Sequence, residues 1–567
     1  MSGTSRTGAR ILIDQLALHG ADRVFCVPGE SYLAALDALY DTHAIELVTC
    51  RQEGGATMMA DADGKLTGRP GIVFVSRGPG AMNGSAGLHI ARQDATPLLM
   101  FIGQVARGTL EREALQGIDY RQMFGTVAKW VAQIDDPAQI PELVSRAFHT
   151  AVNGRPGPVV LALPEDMLTE EAAVADGAPY RRVETWPSPE ALAQLRAALE
   201  AAARPLLILG GSSWSKEAVA QIENFAAANR LSVGTAFRRQ DRFDNEHPCY
   251  AGDIGIGINP KLATRVCDAD LLIAIGTRLG EVTTGDYSRL DVPLPRQKLI
   301  HVYPDPAELG RVYRPYLAID ATARAFTAAL ADLPPVAAPR WAEATADAHA
   351  DYLAWRQPVT VPGVVQMAEL VGWLDDHLPP DTIFTNGAGN FATWLHRFHG
   401  YRGYGTQLAP ASGSMGYGVP AAVAAALRHP DRPVVCFTGD GDFLMTGQEL
   451  ATTMAYRLPI VILLLNNNSY GTIRMHQEMH YPDRTIATDL VNPDFAALAR
   501  SYGAFGETVA STEEFAPAFQ RARAAGRPAL IEIRFDLDAI SPTRSLTELR
   551  AAARAGRNPN SALLTHL

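Results

Sequence analysis

Short, continuous runs of apolar residues recur along the chain and alternate with stretches whose apolar residues have helical spacing. In the first third of the chain, the continuous runs lie at residues 24–27, 72–76, 98–102 and 159–163. Runs of about four to eight apolar residues are typical of strands that are buried on both faces. Residues 11–20 have helical spacing that ends at Gly20. This alternation predicts a parallel sheet covered by helices.

Two polar, aperiodic stretches divide this pattern into three segments of similar size. They lie at residues 168–190 and 333–350, and both contain prolines. Apolar runs resume after each break, at 205–211, 271–280, 299–306, 382–385, 434–438, 460–465 and 529–534. We therefore predict an α/β protein with three doubly wound parallel-sheet domains and a tail. The predicted ranges are 1–168, 190–332 and 360–540, with the tail at 541–567.

Composition narrows the class of protein. The 567 residues are 47% hydrophobic and 20% charged, as in an ordinary globular protein rather than a disordered or fibrous one. The net charge of −11, without a long basic block, argues against nucleic acid or an anionic membrane as the main partner. Five scattered cysteines without a CxxC pair fit free thiols in a reducing cytoplasm. Because the longest apolar run, 458–465, is too short to span a bilayer and no secretory signal is visible, we expect a soluble cytoplasmic protein.

The strongest chemical signal lies at the ends of two strands in the third segment. One strand leads into GDGD at 439–442, and the next ends in NNNS at 466–469. Asn467 follows Asp440 by 27 residues, which suits one strand–helix–strand crossover, so both are expected at the ligand-binding edge of the sheet. A carboxylate, an amide oxygen and a backbone carbonyl form a hard oxygen site that suits Mg²⁺ and leaves positions for phosphate. Gly441 lets the backbone approach a diphosphate.

These motifs also carry a resemblance to a known family. GDGDFLMTGQEL (439–450) and LLLNNNSYG (463–471) resemble the signature for thiamin diphosphate, also called thiamine pyrophosphate, in the superfamily of acetolactate synthase, pyruvate oxidase and benzoylformate decarboxylase. The resemblance covers about residues 5–540. It implies an N-terminal pyrimidine-binding domain, a central domain and a C-terminal diphosphate-binding domain, with thiamin diphosphate and Mg²⁺ as cofactors.

The same resemblance assigns residues in the third domain. It implies that Asp440 and Asn467 bind the metal through their side chains and Ser469 through its carbonyl oxygen. Gly441 and Asp442 are also expected in the cofactor site. Without the paired motifs, a tight turn at GDGD and a loop at NNNS would be the simpler interpretation.

Four further residues follow from shorter resemblances. RQEGGA (51–56) resembles the RHEQAA stretch of the family. This match implies that the Glu53 carboxyl bonds N1′ of the cofactor aminopyrimidine. The bond promotes the imino form of the pyrimidine, which activates the thiazolium carbon. By a similar match, Met415 supports the bent cofactor and the Gly413 carbonyl accepts from its 4′-amino group. Asn390 falls in the stretch that resembles the loop over the diphosphate. Taken alone, Glu53 would be a helix N-terminal charge and Met415 a core methionine.

Glu53 and the metal ligands lie in different predicted domains, and in this family they meet across a subunit interface. The resemblance therefore implies a two-fold symmetric homodimer at minimum and a homotetramer as the expected assembly. The substrate is expected to be a small 2-oxo acid, with no nucleic acid or membrane as partner.

The family chemistry begins with addition to a 2-oxo acid and loss of CO₂, and the fate of the resulting enamine defines the reaction. The overall similarity favours acetolactate-synthase-like carboligation, and Gln116 falls at the position of the active-site glutamine of that branch. Two departures favour the alternative of a non-ligating 2-oxo acid decarboxylase that releases an aldehyde, with Glu30 and His476 as proton relays. In the simpler interpretation, Glu30 caps the following helix and His476 lines the substrate channel.

The resemblance does not decide which ligand, if any, the central domain binds. GTRLGEVTTG (276–285) loosely resembles a flavin-binding stretch of the family, so this domain is expected to hold FAD, another nucleotide or no ligand. More distant alternatives are a flavin-linked oxidase and a non-catalytic homologue. A nucleotide-dependent oxidoreductase would need a complete GxGxxG motif with an acidic residue downstream, and the sequence contains none.

Overall fold

The structure of the protein, a computed structural model, describes residues 5–556 and forms two compact units. The first unit contains the described residues up to 183 together with 419–428 and 446–456. The second contains 184–418, 429–445 and the described residues from 457 onward. Three six-stranded parallel sheets, one in each predicted segment, confirm the predicted α/β class.

The first sheet lies in the first unit, and a short antiparallel pair, β1 with β8, lies beside it. The elements are β1 (Ser5–Thr7), α1 (Gly8–Leu18), β2 (Arg23–Cys26), α2 (Leu33–Tyr40), β3 (Glu46–Thr49), α3 (Glu53–Thr67), β4 (Gly71–Val75), α4 (Pro79–Asp94), β5 (Leu98–Gln104), α5 (Tyr120–Phe124), β6 (Trp130–Gln133), α6 (Ile140–Val152), β7 (Pro158–Pro164), α7 (Glu165–Thr169) and β8 (Glu171–Ala173). The strand order is β3-β2-β4-β5-β7-β6.

Both faces of this sheet are buried, which explains the continuous apolar runs in the sequence. Successive strand residues point to opposite faces. On one face, Phe74 of β4 stacks on Phe101 of β5 with ring centroids 4.7 Å apart. Their neighbours Val73 and Met100 are also fully buried. A strand with only one buried face would have alternated apolar and polar residues.

Helix α1 ends close to its predicted stop and places a histidine in the core of the first unit. The helix ends at Leu18, and Gly20 follows with φ 81°. His19 is only 4% exposed and accepts the N–H of Tyr180 at Nδ1, while its Nε2 has no partner within the described chain. Burial, together with the nearby His149, lowers the pKa of His19 from 6.5 to about 4.

We expect the stability of the first unit to fall as the pH is lowered from about 6.5 to about 4. In this window the unfolded chain protonates His19 while the folded chain does not, and the full effect is about 2 kcal/mol after allowance for solvent screening. His19→Gln keeps an acceptor for the N–H of Tyr180. In this variant the free energy of unfolding, measured with urea at several pH values, should depend less on pH between about 6.5 and about 4. The same change at the exposed His43 is the control and should leave the pH dependence intact. Parallel curves for His19→Gln and wild type would contradict the expectation.

The second sheet lies in the second unit. The elements are α8 (Pro189–Ala201), β9 (Pro205–Leu209), α9 (Lys216–Asn229), β10 (Ser232–Ala236), β11 (Tyr250–Ile254), α10 (Pro260–Asp268), β12 (Leu271–Ile275), α11 (Glu281–Thr284), β13 (Lys298–Tyr303), β14 (Leu317–Asp320), α12 (Ala323–Leu330) and α13 (Ala342–Trp355). The strand order is β11-β10-β9-β12-β13-β14. Leu207 and Leu209 of β9 pack into one apolar cluster and Leu206 and Ile208 into another, so helices cover both faces.

The third sheet also lies in the second unit and repeats the connectivity of the first. The elements of this part of the chain are α14 (Met367–His377), β15 (Ile383–Asn386), α15 (Phe391–Phe398), β16 (Gln407–Leu408), α16 (Gly418–Arg428), β17 (Val434–Gly439), α17 (Asp440–Phe443), α18 (Leu450–Ala455), β18 (Val461–Asn466), α19 (Gly471–His480), α20 (Phe495–Ser501), β19 (Phe505–Val509), α21 (Thr512–Ala524), β20 (Ala529–Arg534) and α22 (Leu546–Arg554). The strand order is β16-β15-β17-β18-β20-β19. In both sheets the second strand forms one edge and the sixth lies between the fourth and fifth.

Two segments that are distant in sequence join the first unit. Arg428, the last residue of α16, donates to the carboxylates of Asp22 and Asp63 at 2.8–3.0 Å. Just after α18, the hydroxyl of Tyr456 accepts the N–H of Thr49 at 2.8 Å. These contacts attach both segments to the part of the first unit that carries β2 and β3.

The predicted linkers and tail contain more regular structure than their sequences indicated. The first linker includes strand β8, and helix α13 begins inside the second linker. In the second linker Trp341 is buried, and its indole N–H donates to the carbonyl of Asn229 at 2.9 Å. In the tail, α22 packs Leu546 and Leu549 against a methionine of α19, Met475. Residues 557–567 of the tail lie outside the described part. The domain boundaries stay a prediction.

All five cysteines are free, and four of them are buried. Among the helices of residues 5–556, none is long and apolar enough to cross a membrane.

Candidate functional site

The carboxyl ends of β15, β17 and β18 open into one cavity of about 240 Å³ in the second unit. This is the edge of a parallel sheet at which α/β proteins bind ligands. The cavity brings together every third-domain residue that was predicted to bind the cofactor or the metal, namely Asn390, Gly413, Met415, Asp440, Gly441, Asp442, Asn467 and Ser469. Their roles stay a prediction, but their convergence in one cavity is what those roles require.

Asp440 begins α17 at the end of β17 and is 4% exposed. Its Oδ1 accepts the N–H of Gly441 at 2.9 Å, and its Oδ2 accepts the amide Nδ2 of Asn492 at 2.8 Å. Burial raises the pKa of the Asp440 carboxyl, and these hydrogen bonds oppose that rise. Within residues 5–556 no basic side chain forms an ion pair with Asp440. A buried carboxylate without a basic partner is well suited to a metal cation.

Asn467 and Ser469 follow β18 and supply neutral oxygens. The Oδ1 atom of Asn467 accepts the N–H of Ser469 at 3.2 Å, while the Ser469 hydroxyl donates to the carbonyl of Thr488 at 3.0 Å. The described residues contain no group of three or more His, Cys, Asp or Glu side chains that would hold a metal by themselves. One carboxylate, one amide oxygen and one main-chain carbonyl form an all-oxygen set, which fits Mg²⁺ with sites left for phosphate oxygens.

Asn492 belongs to this site and was missed by the sequence analysis. Its amide donates to Asp440 and also to Asn466 and Asn468, at 3.0 and 3.3 Å. It therefore ties the loop after β18 to the carboxylate at the end of β17. Asn492 lies in the loop before α20, 52 residues from Asp440 in sequence, where no local pattern marks it.

Asp442 is held by the chain from several directions. Its Oδ1 accepts the N–H groups of Ala388 and Gly416 at 3.0 and 2.9 Å, and its Oδ2 accepts the Thr438 hydroxyl at 2.6 Å. A Cβ on Gly387 would lie 2.1 Å from Oδ1, so this approach needs a glycine. Burial raises the pKa of the Asp442 carboxyl to about 6, although these hydrogen bonds act to lower it. Asp442 thus anchors two loops that line the cavity.

Asn390, at the start of α15, is also engaged by the chain. Its N–H donates to the hydroxyl of Thr472 at 2.9 Å, and its Oδ1 accepts from the same hydroxyl at 3.0 Å. Its Nδ2 donates to the carbonyl of Ile540 at 3.1 Å. Its side chain therefore joins the first turn of α15 to α19 while one side of it lines the cavity.

His476 lies on α19, half-buried, with its ring 6.3 Å from that of His480. Burial and His480 lower the pKa of His476 below 6.5, so its imidazole is neutral at pH 7. Ile473, less than one turn earlier on α19, lines the cavity, whereas His476 is not among the described residues that line it.

In the first unit, Glu53 begins α3 at the carboxyl end of β3. Its Oε2 accepts the side-chain N–H of Asn83 at 2.9 Å. A Cβ on Gly80 would lie 3.1 Å from its Oε1, so the carboxylate lies against the first turn of α4. Gln52 caps α3 by accepting the N–H of Gly55 at 3.0 Å.

Gln116, and Gly29 beside Glu30, lie against residues 76–80, the stretch that Glu53 also touches. A Cβ on Gly29, next to Glu30, would lie 2.6 Å from the Cβ of Ser76, and one on Gly78 would lie 2.8 Å from the Cβ of Gln116. Both Glu30 and Gln116 are exposed, and Gln116 has φ 65°. Glu30 is not a side-chain cap of α2, since in the described chain the N-cap of that helix is Tyr32 and carries no side-chain bond. Three residues proposed for catalysis therefore gather at one edge of the first sheet.

The strand order of the second sheet reverses between β9 and β12, and dinucleotides bind at such a switch point in this topology. Here the loop ends pack directly on each other: a Cβ on Gly211 would lie 1.7 Å from the carbonyl oxygen of Gly276. The buried indole of Trp214 donates to the carbonyl of Gly210 at 2.8 Å. The N–H groups of Gly210 and Gly276 are already used by strand carbonyls. These contacts hold the turns after β9 and β12 together; a flavin in this domain stays a prediction, and no step is assigned to it.

Comparison with protein families finds three models that match this chain in succession. They are described as thiamine pyrophosphate enzyme, N-terminal TPP binding domain (residues 6–123), central domain (192–330) and C-terminal TPP binding domain (387–533). The last of these contains all eight cavity residues named above.

The chain is also similar to curated proteins along most of its length. It is 34% identical over 527 residues to the acetolactate synthase large subunit of Parasynechococcus marenigrum, covering 89% of this chain and 84% of that protein. It is 30% identical over 536 residues to the acetolactate synthase isozyme 2 large subunit of Escherichia coli, covering 93% and 95%. It is 30% identical over 564 residues to the probable acetolactate synthase large subunit of Methanocaldococcus jannaschii, covering 96% and 95%.

Proposed function

Because this chain belongs to the thiamine pyrophosphate enzyme family, we propose that it is an enzyme that decarboxylates a 2-oxo acid and joins the remaining carbons to a second carbonyl compound. Acetolactate-synthase-like carboligation of this kind is supported by relatives 30–34% identical over most of the chain. When bound, thiamin diphosphate supplies the carbon nucleophile and the electron sink for loss of CO₂.

The observation that carries the proposal is the cavity at the edge of the third sheet. Asp440, Asn467 and the Ser469 carbonyl are the proposed ligands of Mg²⁺, which would bind the cofactor diphosphate. Gly441 has no side chain to obstruct the diphosphate, and Met415 lies on the wall where the cofactor is proposed to bend. Asp442 keeps the surrounding loops in place by accepting their N–H groups.

Glu53 is the proposed proton-holding group for the cofactor pyrimidine. Its carboxylate is oriented by Asn83, and the missing side chain of Gly80 leaves room beside it. Glu30 and Gln116 are proposed to face the substrate from the same edge of the first sheet. His476, neutral at pH 7, is better suited to accept a proton or line the substrate channel than to donate a proton.

The proposed assembly is a homodimer at minimum, with a homotetramer expected, and active sites at the subunit interface. The support is the family resemblance, in which Glu53 and the metal ligands come from different chains. Light scattering coupled to size exclusion measures the assembly directly.

The deciding experiment incubates purified protein with thiamin diphosphate, Mg²⁺ and a series of 2-oxo acids including pyruvate, and identifies products by mass spectrometry. An acetohydroxy acid or acyloin that requires both cofactors is the expected result. An aldehyde alone would favour the non-ligating decarboxylase instead. Protein that neither binds thiamin diphosphate nor depends on Mg²⁺ would overturn the proposal.

Removing the amide of Asn492 should weaken cofactor binding without unfolding the chain. Asn492→Ala takes away the hydrogen bond to the Oδ2 atom of Asp440, and loss of such a partner of a metal ligand typically costs about 10- to 100-fold in affinity. The measurement is the Kd for thiamin diphosphate at fixed Mg²⁺, from tryptophan fluorescence.

Asp494→Ala is the matched control for this prediction. Asp494 caps α20 two residues later by accepting the N–H of Ala497 at 2.8 Å, so its loss should lower stability by about 1 kcal/mol. It should leave the Kd unchanged. Equal Kd values for Asn492→Ala and wild type would contradict the prediction.

A further inference from the structure

Glu449 is a fully buried carboxylate that the proposed site does not use. It precedes α18, in the segment 446–456 that belongs to the first unit. Its Oε1 accepts the main-chain N–H of Arg51 at 3.1 Å and that of Gln52 at 3.0 Å, and its Oε2 accepts the Thr452 hydroxyl at 2.6 Å. Arg51 is 398 residues away in sequence.

The two N–H groups belong to the residues immediately before Glu53, where α3 begins. Free N–H groups and the helix dipole make such an end favourable for a negative charge. Because both groups are held by one buried carboxylate, the direction of the chain entering Glu53 is set at two consecutive residues.

A glycine makes this contact possible. A Cβ on Gly55, in the first turn of α3, would lie 2.6 Å from the Oε1 atom of Glu449 and 2.9 Å from its Cγ. Any other residue at 55 would push the carboxylate away from Arg51 and Gln52. Tyr456 attaches the same segment to β3 through the N–H of Thr49, so the β3–α3 turn is held from both sides.

We propose that Glu449 is a positioning residue for Glu53, fixing the main chain at 51–52 and thereby the direction of the Glu53 carboxylate. A buried carboxylate is expensive to desolvate, and apolar packing of similar volume often stabilises a fold as well or better. Retaining the carboxylate is therefore better explained by the geometry it imposes than by stability. The inference rests on the proposed function, since the direction of Glu53 matters only if Glu53 acts on the bound cofactor.

The test compares four variants of the full chain. Glu449→Leu removes both acceptors, whereas Glu449→Gln keeps one oxygen for Arg51 and Gln52 and is the conservative rescue. Gly55→Ala displaces the carboxylate from the opposite side and remains informative if Glu449→Leu does not fold. Thr453→Val is the matched control, because the buried Thr453 hydroxyl donates to the Leu450 carbonyl rather than to Glu449.

Three measurements separate positioning from a general loss of structure. The first is amide hydrogen exchange of peptide 47–56 without cofactor, which should be faster in Glu449→Leu and Gly55→Ala. The second is the Kd for thiamin diphosphate with Mg²⁺, which should stay within about twofold of wild type because the metal ligands are untouched. The third is the rate of hydrogen–deuterium exchange at C2 of the bound cofactor, which should fall about 10- to 100-fold. Glu449→Gln should fall less, and Thr453→Val should match wild type.

The inference would be overturned if Glu449→Leu and Gly55→Ala kept the wild-type rate of C2 exchange while Glu53→Gln abolished that exchange. This result would leave the proposed function standing. The inference would also be overturned if C2 exchange in Thr453→Val were as slow as in Glu449→Leu, because the slow exchange would then reflect a general disturbance of the structure. A wild-type chain that binds no thiamin diphosphate would remove the proposed function itself, and the inference with it.

Discussion

Glu53→Gln should retain thiamin diphosphate and lower turnover about 100-fold or more, because a glutamine cannot share a proton with the cofactor pyrimidine. Glutamine has the same size, so the hydrogen bond with Asn83 and the space beside Gly80 are kept. The expected signature is therefore an unchanged Kd for the cofactor with a reduced kcat. Steady-state kinetics with the best 2-oxo acid and a cofactor titration measure the two quantities separately.

The alternative for Glu53 is a charge that only stabilises the start of α3. Glu142, exposed in the first turn of α6, is a glutamate with that role alone, so Glu142→Gln is the matched control. It should lose at most about 1 kcal/mol of stability and no activity. If Glu53→Gln behaved like Glu142→Gln, its catalytic assignment would be wrong.

Asp440→Asn should weaken Mg²⁺-dependent binding of thiamin diphosphate about 100-fold or more. The change removes the one negative charge of the proposed ligand set while conserving the size of the side chain. The replacement removes a buried charge but keeps only one acceptor for the N–H of Gly441 and the amide of Asn492, so the stability of the apo protein should fall by at most about 2 kcal/mol. A loss of cofactor affinity that is much larger than this loss of apo stability is the pattern that distinguishes a ligand from a structural residue.

Asp431→Asn, at an exposed position of the same part of the chain, is the control and should change neither quantity. Isothermal titration with thiamin diphosphate at several Mg²⁺ concentrations provides the affinities. An Asp440→Asn protein that keeps the wild-type dependence on Mg²⁺ would place the metal elsewhere.

Much of the fold could be predicted because it depends on local pattern. Strands buried on both faces leave continuous apolar runs, and each predicted run has a strand in the structure, such as β5 (Leu98–Gln104) for the run 98–102. The tail helix α22 was missed, since its two leucines are too few to show a period until α19 lies beside them. Helix α13 was missed because alanines and prolines in the stretch 333–350 obscure its start.

In the candidate site, too, some residues could be predicted from local pattern and others could not. Asp440 and Asn467 could be predicted because each directly follows a strand, and neighbouring parallel strands end at one edge of a sheet. Asn492 could not be found, because its contact with Asp440 spans 52 residues and leaves no periodic signal. For Asp442, the sequence indicated a place in the site, whereas only the structure shows that its oxygens are taken by the N–H groups of neighbouring loops.

The three parallel sheets and the motifs at their strand ends can be derived from the sequence alone, because strand burial and strand–helix–strand spacing are local properties that the order of residues encodes directly. The meeting of distant groups, such as Glu449 with the main chain before Glu53, is visible only in the folded structure. Such contacts depend on how the elements pack, and a buried hydrogen bond between segments hundreds of residues apart has no counterpart in local pattern.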